Sequence, residues 1–410
     1  MKKKDFKHHP FLTRLTHFLL FFLTRWYRVK ANISDDVKNI DEPYLLLSNH
    51  VGSYDPFLLS HYIKKQPHFV SSDAVMRDPK LGFLFKHWGV IPKKKNVRDS
   101  QVIRDMISVV KKGGAIGLFP EGTRTWTGTS LYYDEAIGKL AKLLKVPVIT
   151  AKMKGMQLTN PRWGTKNRRV ALEIDYEMIF TKEELANAST TEIYEKIKEK
   201  MHHDEVDWQR AHMHEIISDH RAEFIDYVIF LCEECESIGK IKSNGNQFEC
   251  QQCGRKTFVN KYGFFENTEG KAQRFDNIRD TYEWQREVFE TFIEKHFRNK
   301  TFAPLFSDDN MLIYQEKNNK MELIGKATLS FYINRIVIKY DGQKQVEFPL
   351  TDIQVLNPQF HERIEVKFRG KNYRFVGEKP GVSGLKWEIA TSKIWELTGE
   401  GNKRSTYLLG

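Results

Sequence analysis

Short apolar runs alternate with stretches of helical spacing through the first half of the chain. Residues 43–48, 115–119 and 146–151 read as buried strands, and residues 170–176, which alternate, as a fourth. Between them residues 56–63, 102–111 and 135–144 read as helices, the second closed by Gly113-Gly114. Strands interleaved with helices predict an α/β domain whose mixed or mostly parallel sheet is flanked by helices. A capping-box pattern, Thr181 with Glu184, opens a charged helical stretch running to about Met201. The first domain is therefore expected over residues 31–201.

The pattern then changes twice. Residues 202–231, rich in His, Glu and Arg, predict a helical connector; residues 232–258 hold all four cysteines; residues 275–297, with Trp284 and Phe289, predict another helix. Beyond residue 308 the period becomes two: Leu329/Phe331/Ile333, Ile336/Ile338, Val346/Phe348 and Ile364/Val366/Phe368, with turns at Asp341-Gly342 and at residues 369–372. An amphipathic helix over residues 385–397 ends the series, with Leu385, Ile389 and Trp395 on it and Trp387 nearby. Strands closed by a C-terminal helix resemble a pleckstrin-homology-like or GRAM-like barrel, which implies a β-rich domain over residues 308–400.

Residues 1–30 contain eight Lys or Arg and one acid, Asp5, and so carry more than half of the net charge of +12. Phe11, Leu12, Leu15, Phe18, Leu19, Phe22 and Trp26 recur there at helical spacing. Arg14 and Arg25 bracket too few residues for a span, which needs ~20 apolar positions, and no small-residue cleavage site follows. The expectation is a helix in the interface of an anionic membrane; the alternative is packing on the protein's own core. If the anchor lies elsewhere, the helix carrying Trp387 and Trp395 is the next candidate.

Composition narrows the class. A mean hydropathy of −0.54 excludes a polytopic membrane protein, and 40% hydrophobic residues exclude a disordered chain. Lys and Arg (65) exceed Asp and Glu (53), which favours anionic partners. Four cysteines in one cluster give no extracellular disulfide framework.

Two segments carry candidate chemistry: residues 48–56, Ser-Asn-His-Val-Gly-Ser-Tyr-Asp-Pro, and residues 118–125, Leu-Phe-Pro-Glu-Gly-Thr-Arg-Thr. Each follows an apolar strand, so both loops are expected at one edge of one sheet, where open α/β sheets bind ligands. His50 suits a general base, with Asp55 fixing its tautomer and stabilising the imidazolium. Asp55 before Pro56 also suits a helix N-cap, and His50 alone suits a satisfied buried histidine. There is no Gly-x-Ser-x-Gly elbow and no phosphate loop of the Gly-Lys-Ser/Thr type. A lone His–Asp base fits direct attack by a bound alcohol on an activated acyl group.

Asn-His-x-x-x-x-Asp followed by Phe-Pro-Glu-Gly-Thr-Arg resembles the glycerolipid acyltransferase family, especially 1-acyl-glycerol-3-phosphate acyltransferases, over about residues 40–200. The resemblance implies that His50, partnered by Asp55, deprotonates a hydroxyl that attacks a thioester of coenzyme A or acyl carrier protein. It implies that Glu121, Gly122, Thr123 and Arg124 bind the acceptor's phosphate region, Arg124 through its planar fork. A third family block is similar to residues 89–95, Gly-Val-Ile-Pro-Lys-Lys-Lys, with Lys95 at the usual Arg position; a fourth, mainly structural, is similar to residues 146–150. Where many members have Phe-Lys-Lys-Gly-Ala, this chain has Tyr133-Asp134-Glu135-Ala136-Ile137. The expected reaction is acylation of 1-acyl-glycerol-3-phosphate to phosphatidic acid at the cytoplasmic face of a membrane. The alternatives are an inactive membrane-binding scaffold, or an acyltransferase for another lyso-lipid or for glycerol-3-phosphate.

Cys232-x-x-Cys235 and Cys250-x-x-Cys253, fourteen residues apart, fit two knuckles of a structural Zn²⁺ site in a zinc ribbon. A closed four-thiolate site leaves no open position for catalysis. Mixed flanking charge (Glu233, Glu234 and Glu236 against Lys240 and Lys242) speaks against a nucleic-acid partner.

Overall fold

In a computed structural model of the chain the described residues are 6–72, 81–93, 100–267, 273–318, 320–342, 344–359 and 363–409. They fall into two compact units, Met1–Thr159 with Arg169–His214, and Asn160–Arg168 with Glu215–Gly410.

The first unit is built on seven strands: β1 (Val29–Asn32), β2 (Leu45–Ser48), β3 (Pro67–Ser72), β4 (Ile91–Lys93), β5 (Ala115–Leu118), β6 (Val148–Lys154) and β7 (Leu172–Phe180). Their order is β1-β7-β6-β2-β5-β3-β4, parallel except for the antiparallel pair β6–β7. The expected mixed sheet is present. Successive residues of the central strands point to opposite faces. Leu45, Leu47, Ile116 and Val148 join one buried cluster with the helices Ser100–Lys111, Ala136–Leu144 and Thr190–Met201. Leu46, Ala115 and Ile149 join another on the opposite face, with Val37, Leu58 and Leu59. Burial on both faces is why these strands read as unbroken apolar runs.

Two local readings change. The charged stretch after Thr181 is two helices, Lys182–Asn187 and Thr190–Met201, because a second capping box, Ser189 with Glu192, restarts the backbone. The stretch expected to be a helical connector is helical only over Glu205–His212, plus one 3₁₀ turn at Ile225–Tyr227. Val228, Ile229, Phe230 and Leu231 are buried consecutively there, a pattern that a one-sided helix does not produce.

The N-terminal helix α1 (Pro10–Trp26) turns the usual amphipathic logic around. It docks through Leu20 and Thr24, and His17 Nδ1 lies 3.2 Å from His61 Nδ1. Phe11, Leu15, Phe18, Leu19, Phe21, Phe22, Leu23 and Trp26 are left 41–68% exposed. Among the described residues no helix is long and apolar enough to cross a membrane.

In the second unit, β8 (Ile241–Asn244), β9 (Gln247–Cys250), β10 (Lys256–Val259) and β11 (Phe265–Asn267) form a small antiparallel sheet carrying the cysteines. After the helix Ile278–Arg298 come seven antiparallel strands: β12 (Phe306–Lys317), β13 (Lys320–Phe331), β14 (Arg335–Tyr340), β15 (Gln345–Pro349), β16 (Ile353–Pro358), β17 (Ile364–Phe368) and β18 (Lys371–Gly377). Their order is β15-β14-β13-β12-β18-β17-β16, and the helix Gly384–Leu397 closes them. That helix is buried almost all round, because the sheet lies on one side and the helix Ile278–Arg298 on the other. Trp387 and Trp395 donate their N–H groups to Asp308 and to Leu350 O. This overturns the expectation that the helix is amphipathic, and it removes those tryptophans as an alternative membrane anchor.

Candidate functional site

His50 follows β2 and the loop 119–128 follows β5. These strands are parallel neighbours in register, Leu45 with Ile116 and Leu47 with Leu118, so both loops leave the sheet at the same edge. Asn49 anchors the first loop on the other side of β2. Its side-chain amide donates to Met153 O at 2.9 Å and accepts from Met153 N–H at 2.9 Å, extending the β2–β6 pairing by one rung.

Asp55 is the first residue of the helix Asp55–His61 and is fully buried. Its carboxylate turns back to the loop and accepts from Val51 N–H at 2.8 Å and Gly52 N–H at 2.9 Å. The same oxygen lies 2.9 Å from His50 Nδ1. The N-cap reading is thus replaced: Asp55 caps the 50–52 loop rather than its own helix. With Nδ1–H committed to Asp55, Nε2 is the imidazole atom left to accept a proton. The ring stacks on Phe119, centroids 4.2 Å apart, and its side chain is 23% exposed. It is held on one face by that ring and remains partly exposed.

The second loop begins with a β-turn in which Gly122 N–H donates to Phe119 O at 3.0 Å. Pro120 sits at its second position and Gly122, with φ +68°, takes the left-handed conformation at its fourth. This turn tucks Glu121 inward until it is 4% exposed, and Glu121 Oε2 accepts from His50 N–H at 3.4 Å. Burial pushes the Glu121 carboxyl up to about 8, against the lowering effect of that hydrogen bond. Thr125 N–H donates to His50 O at 3.0 Å. Both backbone groups of His50 are therefore bonded to one loop, which sets the histidine's position through main chain as well as through Asp55.

Gly122 is exposed, and Thr123 and Arg124 are half-buried on the same loop. Lys95 lies outside the described residues; the block ahead of it runs into β4, where Ile91 pairs with Val70 of β3. Residues 133–137 start a helix: Asp134 Oδ1 accepts from Ala136 N–H at 2.7 Å, and Tyr133 is buried edge-on to Tyr194. Asn49, Phe119 and Thr125 are positioning residues that sequence reasoning had not assigned. Asn49 stood visibly beside His50; the other two carried no signal besides their place in the loop.

The four cysteines converge, with their sulfurs all within 4.8 Å of one another. Cys232 Sγ lies 3.6 Å from Cys253 Sγ, and Cys235 Sγ 3.7 Å from Cys250 Sγ. Tetrahedral thiolates at about 2.3 Å from zinc are about 3.8 Å apart, so the donor set fits that ion. The two knuckles repeat one pattern: Glu236 N–H bonds Cys232 O and Gly254 N–H bonds Cys250 O, each at 2.9 Å and each from a left-handed residue.

A family model described as Acyltransferase matches residues 28–154. A chloroplastic 1-acyl-sn-glycerol-3-phosphate acyltransferase of Brassica napus is 26% identical over 151 residues, 36% of this chain and 43% of that protein. The 1-acyl-sn-glycerol-3-phosphate acyltransferase of Saccharomyces cerevisiae is 24% identical over 188 residues, 43% of this chain and 62% of that protein. The crystal structure of the 1-acyl-sn-glycerophosphate acyltransferase PlsC from Thermotoga maritima aligns at 15% identity with a TM-score of 0.41, over 47% of this chain and 78% of that one. The chain thus spans between about two-fifths and three-fifths of the length of the curated relatives it matches.

Proposed function

We propose that this chain, whose residues 28–154 match an acyltransferase family model, is a glycerolipid acyltransferase that acylates a lysophospholipid, with 1-acyl-glycerol-3-phosphate as acceptor and phosphatidic acid as product. The observation that carries this is the His50–Asp55 pair at the edge of the sheet, with Nδ1 bonded to Asp55 and the imidazole partly exposed. Nε2 takes the proton of the acceptor hydroxyl as its oxygen attacks the thioester carbonyl of acyl-CoA or acyl carrier protein. Asp55 keeps the tautomer and offsets the charge that forms on the ring. The protonated Nε2 then returns its proton to the departing thiolate. Arg124 pairs the acceptor's phosphate, with Gly122 and Thr123 shaping its approach and Lys95 as a second cation. Glu121 acts from behind, through the backbone of His50.

The outward apolar face of α1, with Arg14, Arg25 and Arg28 beside it, supports docking on an anionic membrane at the cytoplasmic face, where the lipid acceptor lies and the soluble thioester arrives. Zn²⁺ held by Cys232, Cys235, Cys250 and Cys253 serves structure and no chemical step. The seven strands closed by a helix support a pleckstrin-homology-like reading of residues 308–400.

Mass spectrometry of lipids after incubation with acyl-CoA or acyl carrier protein and a panel of lyso-acceptors tests the reading. Phosphatidic acid from 1-acyl-glycerol-3-phosphate is the expected product. A diacyl product from another acceptor alone replaces the substrate, and no product with any acceptor favours the scaffold.

A further inference from the structure

The loop that carries Arg124 is supported twice. Its first support is the backbone of His50, through Glu121 and Thr125. Its second lies past the residues that the family model matches, in the turn between the helices Thr190–Met201 and Glu205–His212. Ser130 N–H donates to His203 O and His203 N–H donates to Ser130 Oγ, each at 2.8 Å. Thr129 Oγ1–H donates to Asp204 Oδ2 at 2.9 Å. Asp204 is itself fixed, because its Oδ1 caps the helix Glu205–His212, accepting from Val206 N–H at 2.9 Å and Asp207 N–H at 3.1 Å. Beside it the buried His203 donates Nε2–H to the buried Glu205 at 2.9 Å, and the other oxygen of Glu205 accepts from Gly155 N–H at 2.5 Å. Gly128, at φ +92°, is pressed against this wall: a Cβ there would stand 2.5 Å from Glu205 Cβ.

The Thr125 hydroxyl joins the two supports. It donates to Thr129 O at 2.9 Å and accepts from Gly128 N–H at 3.0 Å, while Thr125 N–H donates to His50 O at 3.0 Å. A displacement of Thr129 is therefore passed through one hydrogen-bonded turn to Thr125 and to Arg124 beside it. Gly122 and Gly128, both at positive φ, flank this stretch and leave the backbone free to swing unless it is tied down. We propose that Thr129 and Asp204 are positioning residues for acyl transfer, whose hydrogen bond sets the loop so that the fork of Arg124 meets the acceptor's phosphate. The proposal rests on the acyl-transfer reading of the site. A bidentate pairing needs two N–H groups aligned at once, so a small shift of the loop weakens it. His50 keeps its own support in Asp55. Acceptor affinity therefore depends on the Thr129–Asp204 bond more than the chemical step does.

The experiment uses the full chain with Thr129→Val, which keeps the shape and loses the hydroxyl, and Thr129→Ser, which keeps the hydroxyl. With acyl-CoA and 1-acyl-glycerol-3-phosphate, Thr129→Val should raise the acceptor KM about tenfold, the scale of one hydrogen bond to a charged group, with kcat and the KM for acyl-CoA within about twofold. Thr129→Ser should behave as the natural protein. In an Arg124→Ala background Thr129→Val should add nothing to the acceptor KM, because both changes act through one group. Hydrogen exchange over residues 122–130 should be faster in Thr129→Val than in the natural and Ser proteins. An unchanged acceptor KM, a full further loss on top of Arg124→Ala, or no rescue by Ser overturns the proposal. If the natural protein acylates no acceptor, the acyl-transfer reading fails. The exchange comparison still decides the support of the loop, and equal exchange in all three proteins overturns it.

Discussion

One oxygen of Asp55 binds His50 Nδ1 at 2.9 Å and Val51 N–H at 2.8 Å, so the carboxylate orients the imidazole and shapes the loop that presents it. The two roles separate in Asp55→Asn. An amide sets a donor or a weaker acceptor against N–H groups that a carboxylate satisfies. Stability should fall by about 1–3 kcal/mol, and turnover by roughly 10²–10⁴-fold through loss of the tautomer and of the offsetting charge. Denaturant unfolding and steady-state kinetics on the same preparation check both. A variant that loses stability but keeps its turnover would make Asp55 a loop cap only.

The purified protein should hold one Zn²⁺ per chain, and Cys232→Ser or Cys250→Ser should lose it. Metal analysis with limited proteolysis checks this. The expected result is new cleavage within residues 215–410 in the Ser variants and in chelator-treated protein, with acyl-transfer chemistry retained. A metal-free natural protein, folded and resistant to protease, would contradict it.

Docking of α1 should weaken with acid. His8 stacks on His68 with centroids 4.0 Å apart, and His17 bonds His61. His68 Nδ1–H donates to Gly89 O at 2.9 Å, and Trp88 lies beside His17. Burial, then His68, hold His8 down to about 3; burial lowers His17 and His68, and burial followed by His17 lowers His61. Groups whose folded values are depressed are neutral when docked and take up protons more readily when undocked. Docking is therefore fully favourable above about 6.5, the ordinary imidazole value, and is lost progressively as pH falls towards the depressed values. Hydrogen exchange over residues 10–26, corrected for intrinsic rates, should show less protection at pH 5.5 than at 7.5. His17→Leu should flatten that difference; equal protection at both pH values in the natural protein would rule the effect out.

The central strands β2 and β5 were legible because both faces are buried and their apolar residues run without interruption. Edge strands β1 and β4 were not: three or four residues, half-exposed, leave too little pattern to distinguish them from loop. The meeting of His50 with the 119–128 loop followed from two strand ends on one sheet edge. The role of Glu121 in binding the acceptor's phosphate region is what the family resemblance of the loop 121–124 implies. The burial of Glu121 depends on the turn at Phe119–Gly122, whose inward or outward sense only the packed structure decides. The cysteine knuckles were fully visible, since their spacing is local. The histidine pairs under α1 were hidden, because His8 meets His68 and His17 meets His61 only after the helix has docked by its polar side.

The most direct test of His50 as the base is acyl transfer from acyl-CoA to 1-acyl-glycerol-3-phosphate by His50→Ala beside the natural protein, with circular dichroism confirming equal folding. The expected result is phosphatidic acid from the natural protein and a rate lower by ~10²–10⁴-fold or more in the variant. Near-normal turnover by a folded His50→Ala protein would contradict the account.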